Sequence, residues 1–316
     1  MQKIISIVIP VYNEEKNIPL ITEKVSFVVS KTPYDYEIIL VNDGSEDNSQ
    51  LVIDSLVQKD IHIKSIELSK NFGKESATSA GINNTIGNAV ILIDADMQHP
   101  PELITKLLQK WEEGADVVVG LRTENKGQPL LKRFCSFIYY KFINVISDTQ
   151  IIAGATDFRL IDRKVVDEFN KFTEHERITR GLIDWLGFKR EFVEFEAHER
   201  VNGVASYSYF KLMKLALSSS ISHSLVPLKV AGYLGIFITT ISGIGGLLIF
   251  IQRYVFEDVL NWNISGTGQL AVLMIFFIGV ILSCLGLVAL YIGNIHHEVS
   301  GRPLYIVRSI VNLKKK

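Results

Sequence analysis

The 316-residue chain has only two cysteines, Cys135 and Cys284. Their placement suggests neither a disulfide framework nor a metal site, which argues against redox chemistry. Charge of one sign is also missing. The 33 basic residues nearly cancel the 34 acidic ones, giving no reason to expect a broadly basic nucleic-acid binder. With 47% hydrophobic residues the chain is not a disordered tail protein. There is no internal repeat, no low-complexity segment, no G-x-G-x-x-G and no Walker A sequence, so a dinucleotide enzyme and a P-loop ATPase are disfavoured. The amino-terminal apolar run stops at Asn13, Glu14 and Glu15 without a small-residue cleavage site, and reads as a strand rather than a signal peptide.

Apolar residues are concentrated toward the carboxyl end, where they raise the mean hydropathy to +0.23. Val230–Gln252 carries no charge, nor does the stretch from Val259 to Ile295. Each is long enough to cross a bilayer core of about 30 Å as a helix, so two transmembrane helices are expected. The connecting loop carries Arg253, Glu257 and Asp258, whereas Lys229, Arg302, Arg308 and Lys314–Lys316 flank the other side. The positive-inside rule then puts both termini and the large domain in the cytoplasm, on a multi-pass protein of the plasma membrane. The expected division is a catalytic domain over 1–208, an amphipathic juxtamembrane helix over 209–229, the two spans over 230–295 and a basic tail over 296–316. A second basic amphipathic stretch, about 130–147, is expected to lie at the membrane surface.

Strand-like and helical runs alternate through the first 120 residues, which predicts an α/β fold with a mostly parallel, doubly wound sheet. Ligands on such sheets gather at the carboxyl ends of the strands. The first strand ends in Pro10, Tyr12, Asn13 and Glu14, the second in Asn42, Asp43, Gly44 and Ser45, and the fourth in Asp94, Asp96 and Gln98. Hard oxygen ligands at alternate positions leaving a strand can hold Mg²⁺ or Mn²⁺ together with substrate phosphates. The alternative for Asp94-Ala-Asp96 is a solvated turn capping the next helix. Asp43 reads either as a turn residue or as a carboxylate contacting the base or ribose of a nucleotide.

IPVYNEE, VNDGS, NFGKE, DADMQHPPE, ATDFRLIDRKVV, the ER before Gly203 and Tyr207, and the ending EVSGRPLYIV occur in this order. Together they resemble the family 2 glycosyltransferases that charge polyprenyl phosphates, in particular the bactoprenol glucosyltransferases and dolichol-phosphate mannose synthases. The resemblance implies a GT-A (Rossmann-like) fold and inverting transfer of one hexose from a nucleotide-sugar donor to a polyprenyl (undecaprenyl) phosphate acceptor. Glucose from UDP-glucose is the expected donor, with GDP-mannose or a modified UDP-sugar as the alternative. A non-catalytic membrane scaffold is the rival from another class. Carried over by residue, Pro10, Tyr12, Asn13, Glu14, Asp43 and Asp94 would bind the nucleotide-sugar, and Asp94, Asp96 and Gln98 the Mg²⁺ or Mn²⁺. Arg122, Lys132, Ser136, Arg200 and Tyr207 would receive the acceptor phosphate. Asp157 would act as base, with Asp96 beside it in the catalytic set. An alternative is that Asp157 orients Arg159 or Arg200. Ala205-Ser206 stands where the family usually has Ser-Lys, a departure near the expected acceptor site. Membrane lipid is an expected partner, a homo-oligomer remains open, and nucleic acid is not expected.

Overall fold

The computed structural model describes residues 2–123, 152, 154–174, 177–196, 251 and 266–313. It divides into two compact units, one of residues 1–206 with 302–316 and one of residues 207–301.

In the first unit the chain runs β1 (Ile4–Val11), α1 (Asn17–Val29), β2 (Asp35–Asn42), α2 (Ser49–Lys59), β3 (Ile63–Leu68), α3 (Lys74–Asn83) and β4 (Ala89–Leu92). After a 3₁₀ turn at Pro101–Leu103 come α4 (Ile104–Glu112), β5 (Val117–Arg122), β6 (Ala155–Asp162), α5 (Arg163–Phe169), α6 (Thr179–Trp185), β7 (Arg190–Phe195) and, late in the chain, β8 (Val307–Val311). The strands form one eight-stranded sheet in the order β7-β5-β6-β4-β1-β2-β3-β8. The expected mostly parallel sheet is in fact mixed, with four parallel and three antiparallel pairings. The departure comes from β6 and β8. Val90 and Ile91 of β4 pair with β6 rather than with β5, because ATDFRLID, noticed for its polar residues, forms a strand that inserts between them in the opposite direction.

The half built from β1 to β4 follows from its sequence. β1 and β2 are near-continuous apolar runs because both sheet faces are covered, and Ile5, Ile7, Val8 and Ile9 are fully buried. One face packs on α1, α2 and α4, the other on α3, α5 and α6. α4 buries Ile104, Leu107, Leu108 and Trp111, one stripe at helical spacing. α3 is different. Its buried residues are mostly small, and a Cβ on Gly81 would lie 2.2 Å from Cγ1 of Val8. Only a glycine lets this helix sit so close to β1, and that approach carries its first residue, Lys74, to the carboxyl ends of the strands.

The segment expected as a tail supplies the sheet's edge. β8 pairs antiparallel with β3, Arg308 reaches Glu67 (2.8 Å) and the Ser69 carbonyl (2.8 Å), and Asn83 Nδ2 donates to Tyr305 Oη at 3.0 Å. Asn312, in the left-handed region at φ 61°, closes the strand by donating to the carbonyls of Val57 and Ile63.

Of the second unit, the described part is essentially α7 (Gly266–Val299), a single helix of 34 residues. Among the described residues no helix is long and apolar enough to cross a membrane. The first expected span lies almost wholly outside them, as do both amphipathic segments, and along α7 only part of the side chains is described.

Candidate active site

Register explains the centre of the site. Leu92 of β4 pairs with Arg159 of β6 in an antiparallel ladder. Two residues beyond Leu92 stands Asp94, and two residues before Arg159 stands Asp157, so the two carboxylates face each other where the ladder ends. The ammonium of Lys74 lies between them, 2.7 and 2.9 Å from the two oxygens of Asp94 and 2.8 Å from Oδ2 of Asp157. Burial alone would raise the Asp157 carboxyl. The charge and hydrogen bond of Lys74, with Arg180 and Arg159 behind it, outweigh burial and bring the carboxyl down to about 2. Burial would likewise lower the Lys74 ammonium, but Asp94 and Asp157 hold it above the ordinary lysine range. The close ion pair of Asp157 is with Lys74, and Arg159 adds its charge from behind. That guanidinium, 1% exposed, bonds the carbonyls of Thr156 (3.0 Å) and Arg180 (3.4 Å) and lies 3.6 Å from Asp184.

Lys74, Asp94, Asp157 and Arg180 line one pocket. Its wall is tied together by Glu75, whose Oε2 accepts from both the backbone N–H (2.8 Å) and the hydroxyl (2.5 Å) of Thr179. The next residue, Arg180, presents a guanidinium without a hydrogen bond or ion pair among the described residues.

On the other side of Asp94 a possible cation site forms. Ligating atoms of Asp94, Asp96 and His99 lie within 4.8 Å of one another. His99 joins Asp94 and Asp96 of the expected set. The backbone N–H of Gln98, the third residue expected there, donates to Asp96 (3.1 Å). His99 is buried, stacked on Phe158 with ring centroids 5.3 Å apart, and its Nδ1 has no hydrogen-bond partner while sitting 3.9 Å from Oδ2 of Asp94. A buried ring nitrogen left unpaired and aimed at two carboxylates has the chemistry of a metal ligand, so these residues fit a divalent cation. Burial pushes the His99 pKa down, although Asp94 and Asp96 act against it. A histidine kept neutral in the fold but free to charge in the unfolded chain costs stability as pH falls below its ordinary value of about 6.5. His99→Phe should accordingly flatten the decline of unfolding free energy below pH 6.5, as read from urea titrations at a series of pH values. An unchanged decline would show that His99 is not its source.

The other strand ends converge as expected. Asn13, at φ 55°, interlocks the first two loops: its N–H donates to the Ser45 hydroxyl (3.0 Å) and its Oδ1 accepts from the N–H of Glu46 (2.9 Å). Glu14 holds the Asn17 side chain, while its own N–H donates to Ser49. Pro10 is the next-to-last residue of β1, and Tyr12, just past its end, is exposed. Asp43 is only 2% exposed, and its oxygens accept from the backbone N–H groups of Phe72 (2.8 Å) and Gly73 (2.9 Å). Burial raises its carboxyl, and those two bonds work against the rise. Asp43 thus fixes the loop that delivers Lys74. Gly44 lies beneath that loop at φ 63°, where a Cβ would meet the Lys70 backbone at 2.4 Å. Arg122 is exposed at the end of β5, its N–H bonded to the Gly154 carbonyl. Lys132, Ser136, Arg200 and Tyr207 lie outside the described residues.

Residues 6–169 match the sequence profile described as glycosyl transferase family 2. The chain is 39% identical over 313 residues to an uncharacterized glycosyltransferase of Bacillus subtilis (strain 168), covering 98% of this chain and 95% of that one. It is 37% identical over 305 residues to the bactoprenol glucosyl transferase of Shigella phage SfX, covering 96% and 99%. Among solved structures, mannosyl-3-phosphoglycerate synthase from Rubrobacter xylanophilus superposes with a TM-score of 0.51 at 20% identity, covering 71% of this chain and 74% of that one, and so shares the GT-A-like mixed-sheet fold. With a family profile spanning more than half the chain and relatives matched nearly end to end, the protein belongs to glycosyl transferase family 2 and is a glycosyltransferase.

Proposed function

We propose that this enzyme moves one hexose, glucose from UDP-glucose, onto a polyprenyl phosphate at the cytoplasmic face of the plasma membrane. The observation that carries the reading is the convergence of Lys74, Asp94, Asp96, His99 and Asp157 where β4 and β6 end. The lipid acceptor is supported by the match, over nearly the whole length of both chains, to the bactoprenol glucosyl transferase of Shigella phage SfX. Asp94, Asp96 and His99 would hold Mg²⁺ or Mn²⁺, which when bound draws charge from the leaving diphosphate. The protein's own contribution is positioning. The interlocked loops at Asn13, Glu14 and Asp43 form a rigid cradle for the nucleotide, and exposed Tyr12 offers a ring face to its base. Arg122 and Arg180 present guanidinium groups suited to phosphate oxygens. The incoming lipid phosphate, with a second pKa near 6, is already a nucleophilic anion at neutral pH, so alignment against the sugar matters more than removal of a proton.

Membrane attachment rests on the sequence. The charge-free stretches 230–252 and 259–295 are each long enough to suit a span of a bilayer core of roughly 30 Å. The basic flanks place the catalytic domain and both termini on the cytoplasmic side. GDP-mannose or a modified UDP-sugar is the alternative donor. The test is transfer of radiolabel from a panel of UDP- and GDP-sugars to undecaprenyl phosphate by detergent-purified protein, with and without Mn²⁺ or Mg²⁺. Metal-dependent, chloroform-soluble product from UDP-glucose is expected. Product from another donor alone would reassign the sugar, and no product from any donor would overturn the reading.

A further inference from the structure

Lys74 contacts both carboxylates at the centre of the pocket, and the contact with Asp94 is the unusual one. Both Asp94 oxygens are within 3 Å of its ammonium, and Oδ2 is also the atom facing His99. The same carboxylate is thus shared by the lysine and the cation cluster. Glu75, the next acid along, is turned away onto Thr179. The root of Lys74 is fixed, since Gly73 N–H is held by Asp43 and the residue opens α3, whereas its side chain is 45% exposed on a flexible four-carbon stem. A fixed root and a flexible stem allow the ammonium to change anionic partners without moving the backbone.

We propose that Lys74 is the resident cation of the donor-free site and competes with the divalent ion for Asp94, so that metal and donor binding release its ammonium from Asp94 toward the donor's diphosphate. The inference rests on the metal–diphosphate reading above. It makes metal affinity depend on the donor: without diphosphate the released ammonium has only Asp157 left, and with diphosphate it regains a strong anionic partner. The empty enzyme would therefore hold metal weakly, and a nucleoside diphosphate would tighten it.

The test is Mn²⁺ binding to the full chain in detergent, read from the free-ion EPR signal, with and without UDP. Lys74→Gln and Lys74→Ala should each bind Mn²⁺ about tenfold more tightly than the parent in the absence of nucleotide, the factor that one weak charge-assisted hydrogen bond represents. Lys74→Arg should stay near the parent, and UDP should tighten the parent more than either neutral variant. Unchanged or weaker binding by the neutral variants, with Asp96→Asn abolishing the signal change, would overturn the competition while leaving the metal site standing. Negligible binding by the parent, both neutral Lys74 variants and Asp96→Asn alike, with and without UDP, would overturn both.

Discussion

Asp157→Asn is expected to lower sugar transfer by about 10²–10⁴-fold, the range over which a positioned acid–base or electrostatic group acts, without preventing folding. Asparagine keeps the size of the side chain, and Lys74 retains both bonds to Asp94. The informative part is the pH profile. With its carboxyl held at about 2 by Lys74, Asp157 is ionised across the whole working range and is too weak a base to match a task at neutral pH. The acid limb of kcat/KM for the acceptor should therefore fall near pH 6, where the lipid phosphate takes its second proton. The residual activity of Asp157→Asn should keep that inflection. If the limb disappears or moves in the variant, Asp157 itself titrates during turnover and acts as a base rather than as an aligning charge.

The second large effect concerns β8. Ending the chain after Gly301 would remove the strand, the Arg308 and Ser309 bonds to Glu67, the Asn312 bonds at the end of β3, and the packing of Tyr305, Val307 and Leu313 on the core. Several hydrogen bonds near 1 kcal/mol each and three partly buried side chains give a loss of about 3–6 kcal/mol. Against a total of about 5–15 kcal/mol for a whole domain, that should lower the thermal midpoint by roughly 10 °C or more. The bared edge of β3 should also promote aggregation. Far-UV circular dichroism melts of the full and shortened chains in the same detergent decide the matter. Coincident midpoints would mean that β8 adds little to the sheet.

How far the sequence alone could reach is clear from particular residues. The alternation through β1–β4 was legible because each strand is an apolar run bounded by helices with clear stripes, and Asn13, Asp43, Asp94 and Asp96 stood out as polar residues ending those runs. β6 was not, because Thr156, Asp157 and Arg159 interrupt its apolar pattern, although Phe158 and Leu160 do alternate. β8 has five residues with Arg308 among them, and its pairing with β3 is set by a partner some 240 positions away. His99 is inconspicuous in the sequence beside Asp94 and Asp96. The only available signal was its place three residues after Asp96, ahead of two prolines. Lys74 and Arg180 could be assigned to the pocket only once the crossing of α3 over β1 and the antiparallel register of β4 and β6 were known.

The late position of β8 also bears on synthesis. Leu68 leaves the ribosome long before its partner Val307. At the usual elongation rates of about 5–20 residues per second, the outer edge of β3 stays uncovered for on the order of ten to fifty seconds, while the chain between Leu68 and Val307 is being made. During that interval the nascent domain carries an open strand edge. Premature termination anywhere between the end of β3 and residue 302 would release chains that present that edge, a product for proteases and chaperones rather than a smaller working enzyme.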